Sequence, residues 1–186
     1  MIPTGKRAAS AHDKGRWGTP WPLYFACEYR YGRGAYDLDV CAEDWSTKCE
    51  RYFTREEDGL ARPWFGRVWC NPPFDAIGAW LAKGAMEIEL GRIGLATFLL
   101  PHRSDRKWYH EYTTRPYVMK HEPIGRVYYE APPGLEVKEN RPFEACLILQ
   151  MEYPLDVGAL TRPSARVAKA GPPRKRERGR RVASAA

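Results

Sequence analysis

The chain has 186 residues and a formal net charge of +7, a length that allows one folded domain with tails. No apolar run approaches the roughly 20 residues that span a bilayer and no signal-peptide pattern begins the chain, so a soluble, cytoplasmic protein without membrane contact is predicted. Five scattered cysteines without a CxxC pair argue against a zinc site, so no metal is predicted.

Basic residues are concentrated at the two ends of the chain. Residues 1–16 contain four Lys or Arg against one Asp, and residues 161–186 contain nine against one Glu. Residues 17–160 hold 17 basic and 21 acidic side chains, a net charge of −4. We therefore predict a mildly acidic folded body in the middle segment, flanked by two disordered basic arms. Such arms either attract nucleic acid or only solubilise the chain.

The first half of the domain is predicted to contain one helix and three strands. The helix begins at Pro20 and ends at a glycine pair near residue 33. Residues 36–42 alternate polar and apolar side chains and indicate the first strand, with Asp39 near its exit. A short strand at residues 52–54 and a buried one at residues 67–70 follow.

The second half continues the alternation of helix and strand. Apolar residues at three- and four-residue intervals predict a helix over residues 77–88. A second helix is expected up to residue 114, with Ser104 or Asp105 as its N-cap. Further strands are predicted at residues 94–100, 117–121, 126–130 and 143–151. This order indicates a three-layer α/β domain of Rossmann-like type, with a mostly parallel sheet and an antiparallel addition.

An Asn-Pro-Pro-Phe sequence, residues 71–74, follows the strand predicted at residues 67–70. Two prolines cannot continue a sheet, so the chain turns at the strand end where open α/β sheets bind ligands. The Asn71 oxygen and the Pro72 carbonyl can accept hydrogen bonds from one exocyclic amino group, and Phe74 can stack on its heterocycle. A turn without a ligand is the alternative interpretation.

The chain resembles the phage-type DNA N-6-adenine methyltransferases, a Dam-like family, through the order and spacing of five segments. These segments are residues 17–20, 37–42, 52–60, 68–74 and 99–110. The resemblance covers about residues 17–151. It implies transfer of a methyl group from S-adenosyl-L-methionine to the exocyclic amine of an adenine that is flipped out of double-stranded DNA.

For catalysis, the resemblance implies that the target base is held by hydrogen bonds and by stacking on an aromatic ring. The residues implied are Asn71, Pro72, Pro73 and Phe74. Phe74 stands where the family often has Tyr, and either ring can stack. Cys70 precedes the motif on the strand and is predicted to be a packed thiol rather than a nucleophile.

For the cofactor, the resemblance implies contacts from Asp39 and Asp58, whose carboxylates can accept hydrogen bonds from ribose hydroxyls or an ammonium group. Thr19 and Pro20 are expected to line the same pocket. The alternatives are structural, since Asp39 can cap the next segment, Asp58 can start a turn, and Thr19 can cap a helix. No glycine-rich loop follows the first strand.

For DNA, Arg103, Arg106 and Lys107 form a basic cluster after a strand end and are predicted to contact phosphate. Two other functions remain open at this point. The protein is either a catalytically degenerate DNA-binding module, or a methyltransferase for another amine such as a protein glutamine. A phage-encoded enzyme would act in the cytoplasm of the host cell.

Overall fold

A computed structural model of the protein describes residues 17–121, 125–135 and 145–153, all within one compact unit, Met1–Pro154. The basic arms predicted at residues 1–16 and 161–186 lie outside the described residues. The helical elements are α1 (Trp21–Cys27), a π-helical turn (Glu28–Gly32), α2 (Ile77–Glu89) and α3 (Lys107–Thr113). Across this described part, no helix is long and apolar enough to cross a membrane.

A five-stranded sheet forms the centre of the domain, in the order β1-β2-β3-β5-β4. Its strands are β1 (Leu38–Asp39), β2 (Gly66–Cys70), β3 (Ile93–Pro101), β4 (Val118–His121) and β5 (Cys146–Glu152). The first three strands run parallel, whereas β5 is antiparallel to both β3 and β4. The carboxyl ends of β1, β2 and β3 therefore share one edge, the carboxyl edge of the sheet.

Successive side chains of the strands pack into two separate hydrophobic cores, one on each face of the sheet. Val68 and Cys70 of β2 pack in the core covered by α2 and α3. Trp69, between them, faces the opposite core, which includes Tyr24 of α1 at a ring-centroid distance of 5.3 Å. Because a strand turns successive side chains to opposite faces, the apolar run of β2 is buried on both sides. The helices thus cover both faces of the sheet, as the three-layer prediction requires.

Several predicted elements are confirmed close to their predicted bounds. The stripe of apolar residues forms α2, and the dense apolar run before Pro101 forms β3. The predicted strands at residues 67–70, 117–121 and 143–151 correspond to β2, β4 and β5, although residues 143 and 144 lie outside the described part. The mixed α/β class is therefore shown by the structure.

The predicted sheet is confirmed in part, since β1, β2 and β3 are parallel and β5 is an antiparallel strand, which lies between β3 and β4. Other predictions about the elements are wrong. Residues 126–130 make isolated bridges instead of a strand, from Arg126 to Ala145 and from Glu130 to Gly18. Neither Ser104 nor Asp105 caps α3; Arg106 is the N-cap residue, and no side chain bonds the helix start. The first strand was predicted at residues 36–42, but β1 contains only two residues.

Candidate active site

The Asn-Pro-Pro-Phe sequence begins directly after β2 ends at Cys70, at the carboxyl edge of the sheet. Its backbone leaves the sheet and turns into α2, with the Ala76 amide donating to the Pro73 carbonyl at 3.0 Å. Within the described residues, no hydrogen bond reaches the Pro72 carbonyl. The predicted corner is therefore present, and it keeps one backbone acceptor available beside Asn71.

The Asn71 side chain is held in one orientation by the backbone of Trp17. Its Nδ2 donates a hydrogen bond of 2.9 Å to the Trp17 carbonyl oxygen. Because a carbonyl can only accept, the amide must turn its nitrogen towards Trp17 and its oxygen away. That oxygen, Oδ1, is buried and has no hydrogen-bond partner among the described residues. A buried acceptor without a partner is costly, so this atom is suited to accept a hydrogen bond from a ligand.

Phe74 presents an aromatic ring beside this acceptor. The side chain remains 41% exposed, and its ring meets that of Tyr129 edge to face at a centroid distance of 5.9 Å. One edge is thus supported while much of the ring surface is left to solvent. An exposed ring in a fixed position is suited to stack on a flat heterocycle.

A cleft at this edge brings Asn71 and Pro73 together with Asp58. It encloses a cavity of about 130 Å³ that opens to solvent. Its walls combine carboxylates, hydroxyls and aromatic rings. The other lining residues are Trp17, Val40, Cys41, Ala42, Glu43, Ser46, Phe53, Thr54, Arg55, Gly59 and Trp80.

Asp39 organises the wall that follows β1. Its Oδ1 accepts a hydrogen bond of 3.3 Å from the Cys41 amide, and its Oδ2 accepts one of 3.1 Å from the Lys48 amide. Burial raises the pKa of the Asp39 carboxyl to about 6, although these amides and the Lys48 ammonium act in the opposite direction. Asp39 does not line the cleft, so the contacts seen are those of the capping alternative. Direct cofactor binding by Asp39 stays a prediction.

Asp58 also lines the cleft, in a turn with unusual backbone geometry. Its φ angle is +53°, in the left-handed region that Asp adopts more readily than most residues. Its Oδ1 accepts a hydrogen bond of 3.1 Å from the Leu60 amide. Gly59 follows, and a Cβ there would lie 2.1 Å from the Val40 carbonyl oxygen. Only glycine allows this turn to pack against the end of β1 and close the cleft.

The remaining predicted residues lie outside the cleft walls. Thr19 is buried with an unpartnered Oγ1, and Pro20, not Thr19, is the N-cap residue of α1. Arg103, Arg106 and Lys107 follow β3 at the same edge of the sheet, and Arg106 and Lys107 are exposed. Their positions suit contact with a ligand larger than the cleft, and each role stays a prediction.

Cys70 is the buried, packed thiol that its place on the strand predicts. Its side chain is fully buried, and burial raises its pKa well above the ordinary value, so no thiolate is available for attack. The sequence interpretation missed Glu43 and Ser46 in the cleft wall. The only signal for them is their position in the loop that follows a strand end.

Comparisons with known proteins agree with the geometry of this site. A model of the family described as DNA N-6-adenine-methyltransferase (Dam) matches residues 6–140. A DNA N-6-adenine-methyltransferase of Haemophilus phage HP1 is 40% identical over 63 residues, 33% of this chain and 36% of the relative. One of Escherichia phage T1 is 32% identical over 98 residues, 51% of this chain and 39% of the relative.

The matches with the phage proteins thus span less than two fifths of either relative's length. The family match, in contrast, extends over most of this chain and includes the cleft, the Asn71 corner and the turn at Asp58. Motif, position in the sheet and family match agree. The chain belongs to the DNA N-6-adenine-methyltransferase (Dam) family.

Proposed function

We propose that the protein transfers a methyl group from S-adenosyl-L-methionine to the N6 amine of adenine in double-stranded DNA. One observation carries this function: the buried, unpartnered Oδ1 of Asn71, which the Trp17 carbonyl holds in a fixed direction. An exocyclic amine offers the N–H donor that this acceptor lacks. Membership of the family supports DNA as the substrate and a methyl donor as the cofactor.

The chemical task of the corner is to make the amine nucleophilic. The lone pair of the adenine amine is delocalised into the ring, which makes the nitrogen a weak nucleophile. Hydrogen bonds from its two protons to Asn71 Oδ1 and the Pro72 carbonyl favour a tetrahedral nitrogen with a localised lone pair. The proton that is lost after transfer is acidic, so the corner needs no strong general base. Cys70 takes no part in this direct transfer.

The cleft residues fit the chemistry of S-adenosyl-L-methionine. When bound, the cofactor supplies an electrophilic methyl group on a positively charged sulfur. Glu43 and Asp58 offer carboxylates for ribose hydroxyls and an ammonium group, and Phe53 offers an aromatic ring. Asp39 supports this site through the loop that it caps, and we keep a direct cofactor contact for Asp39, Thr19 and Pro20 as part of the proposal. The sheet and its helices also support a Rossmann-like cofactor-binding fold.

The DNA is proposed to contact the same edge of the sheet. The target adenine leaves the duplex and stacks on Phe74, whose exposed ring is available for it. Arg103, Arg106 and Lys107 follow β3 at this edge and are proposed to bind phosphates. The domain is proposed to extend over residues 17–160, with basic arms at either end that add salt-dependent affinity. A phage-encoded enzyme that acts on DNA is proposed to work in the cytoplasm of the host cell.

The two alternative functions are less well supported. A degenerate DNA-binding module does not need an intact site for binding an amine. Asn71, both prolines and the aromatic ring are nevertheless present. A protein glutamine could use the same corner, but the basic ends of the chain and the family match favour a nucleic acid.

The direct test is product analysis with purified protein, methyl-labelled S-adenosyl-L-methionine and DNA that lacks N6-methyladenine. The expected result is label in N6-methyladenine after digestion to nucleosides, and none with DNA made only of G·C pairs. A glutamine-containing peptide in a parallel reaction separates the amine alternatives. Folded protein that binds the cofactor calorimetrically but never labels adenine would refute the function.

A further inference from the structure

We propose that the ion pair between Lys48 and Glu130 is a positioning device that fixes the Asn71 amide for catalysis. This role rests on the proposed methyl transfer. Neither residue belongs to the Asn-Pro-Pro-Phe sequence, and neither lines the cleft. They act through the backbone at Gly18 and Trp17.

Lys48 is a buried charge whose partners are well defined. Its side chain is 1% exposed, and its Nζ lies 3.1 Å from Oε2 of Glu130. The ammonium also lies 4.3 Å from the ring centroid of Trp21, which covers it. A buried ammonium requires such partners, so its position fixes where the Glu130 carboxylate must lie.

Glu130 in turn fixes the position of the Gly18 backbone. The two residues exchange backbone hydrogen bonds, from the Gly18 amide to the Glu130 carbonyl at 2.9 Å and back at 2.8 Å. The Glu130 carboxylate also lies over Gly18, where a Cβ would be 3.2 Å from Oε2 and 3.1 Å from the Trp45 ring. Gly18 is therefore held by backbone bonds and enclosed between Trp45 and the carboxylate.

Trp17 completes the connection to the catalytic corner. It directly precedes Gly18, and its carbonyl accepts the Asn71 Nδ2 hydrogen bond at 2.9 Å. A shift of Gly18 moves this carbonyl, and the carbonyl sets the direction of the buried Asn71 oxygen. Rate depends steeply on such placement, since a misplacement of about 1 Å can cost roughly 100-fold.

The backbone of Lys48 serves the other half of the site. Its amide donates to Asp39 at 3.1 Å and so closes the loop whose residues line the cleft. This bond uses the main chain and survives replacement of the side chain. Removing the ammonium is thus expected to disturb the Asn71 corner much more than the cofactor cleft.

The test compares Lys48→Met, Glu130→Gln and the double variant with the unmodified protein. Lys48→Met should lower kcat about tenfold while the Kd for S-adenosyl-L-methionine changes less than about threefold. Glu130→Gln keeps a hydrogen-bonding oxygen and should give a smaller loss, which also provides a folded variant if Lys48→Met does not fold. The double variant should lose no more than Lys48→Met, because both changes break one connection.

A second readout reports on Asn71 without any catalysis. The chain has two asparagines, Asn71 and Asn140, and one glutamine, Gln150, so nitrogen-labelled protein gives three side-chain amide pairs in an NMR spectrum. Asn71→Asp assigns the Asn71 pair by its disappearance. In the unmodified protein, the Asn71 proton bonded to Trp17 should exchange slowly with water. Lys48→Met should make that exchange faster and leave the Gln150 pair unchanged.

Arg115→Met is the matched control, since it removes an ion pair with Glu89 of 3.1 Å at the other end of α2. It should change neither kcat nor the Asn71 signal. Full kcat in Lys48→Met, an unchanged Asn71 signal, or multiplied losses in the double variant would overturn the positioning role. If the unmodified protein transfers no methyl group, the proposed function fails, and the Asn71 signal still decides whether Lys48 positions this amide.

Discussion

The two edges of the sheet differ in how their polar and charged side chains are paired. At the amino edge, where β2 and β3 begin, acidic side chains are paired with basic ones. The pairs are Asp37 with Arg67, Glu89 with Arg115, Glu152 with Arg33, and Glu87 with Lys83 and Arg92. At the carboxyl edge, the buried oxygen of Asn71 has no partner among the described residues.

Two buried carboxylates show the contrast directly. Burial raises the pKa of Glu87, but its ion pairs with Arg92 and Lys83 outweigh that effect and hold the pKa below its ordinary value. Burial also raises the pKa of Asp39, and there the backbone amides do not compensate, so the pKa is about 6. The amino edge therefore stabilises the fold, whereas the carboxyl edge retains costly groups, as expected of a ligand site.

The largest expected effect is that of Asn71→Ala on catalysis. Removing the acceptor should lower kcat/KM for methyl transfer about 100- to 1,000-fold, by analogy with the loss of one preorganised hydrogen-bonding group in an active site. Stability should change by no more than about 1 kcal/mol, since one modest hydrogen bond is lost together with an unpartnered oxygen. Methyl-transfer kinetics and denaturant unfolding measure the two quantities.

Asn71→Asp sharpens this result, because it keeps an acceptor but loses the donor that reaches Trp17. Its activity should lie between those of Asn71→Ala and the unmodified protein. If Asn71→Ala retained full activity while losing several kcal/mol of stability, Asn71 would belong with the structural pairs of the amino edge.

Much of the corner could be predicted from sequence because its determinants are local. An apolar run that meets two prolines must end a buried strand, and a stripe of apolar residues forms α2 behind it. The position of Asn71 at a strand end follows from these neighbours alone. The same local reasoning failed at residues 126–130, whose bridges to Ala145 and Gly18 join segments that are distant in the sequence.

The parts that escaped prediction depend on contacts between distant residues. The bond from Asn71 to Trp17 joins residues 54 positions apart, and the Lys48–Glu130 pair joins residues 82 apart. Asp39 had both a binding and a capping interpretation, because a carboxylate at a strand end suits either role. Only the folded chain shows that its oxygens accept hydrogen bonds from the backbone amides of Cys41 and Lys48.

Asp39 gives the next largest effect, a dependence of stability on pH. Its pKa of about 6 in the folded protein exceeds the ordinary 3.8, so between these values the folded state binds more protons than the unfolded state. The free energy of unfolding should therefore fall as pH rises from 4 to 6, by on the order of 3 kcal/mol from this group.

Asp39→Asn isolates this contribution, because the variant has no charge to bury at any pH. Denaturant unfolding at pH 4, 5, 6 and 7 should show the unmodified protein losing stability relative to the variant as pH rises. Parallel curves, or a relative gain for the unmodified protein, would mean that the Asp39 carboxylate is as well compensated as that of Glu87. The proposed contrast between the two edges would then be wrong for this group.

Glu87→Gln gives the smallest expected effect and tests the amino edge. The change keeps the shape but removes the charge that faces Lys83 and Arg92, so the free energy of unfolding should fall by about 2 kcal/mol. Glu89→Gln, two residues further along α2, removes the charge of an exposed ion pair and should lose less than about 1 kcal/mol. Under conditions in which both variants remain folded, their kcat and their affinity for the cofactor should be unchanged. A loss of kcat in Glu87→Gln alone would mean that the amino edge also controls the site, through α2 and the corner from which that helix begins.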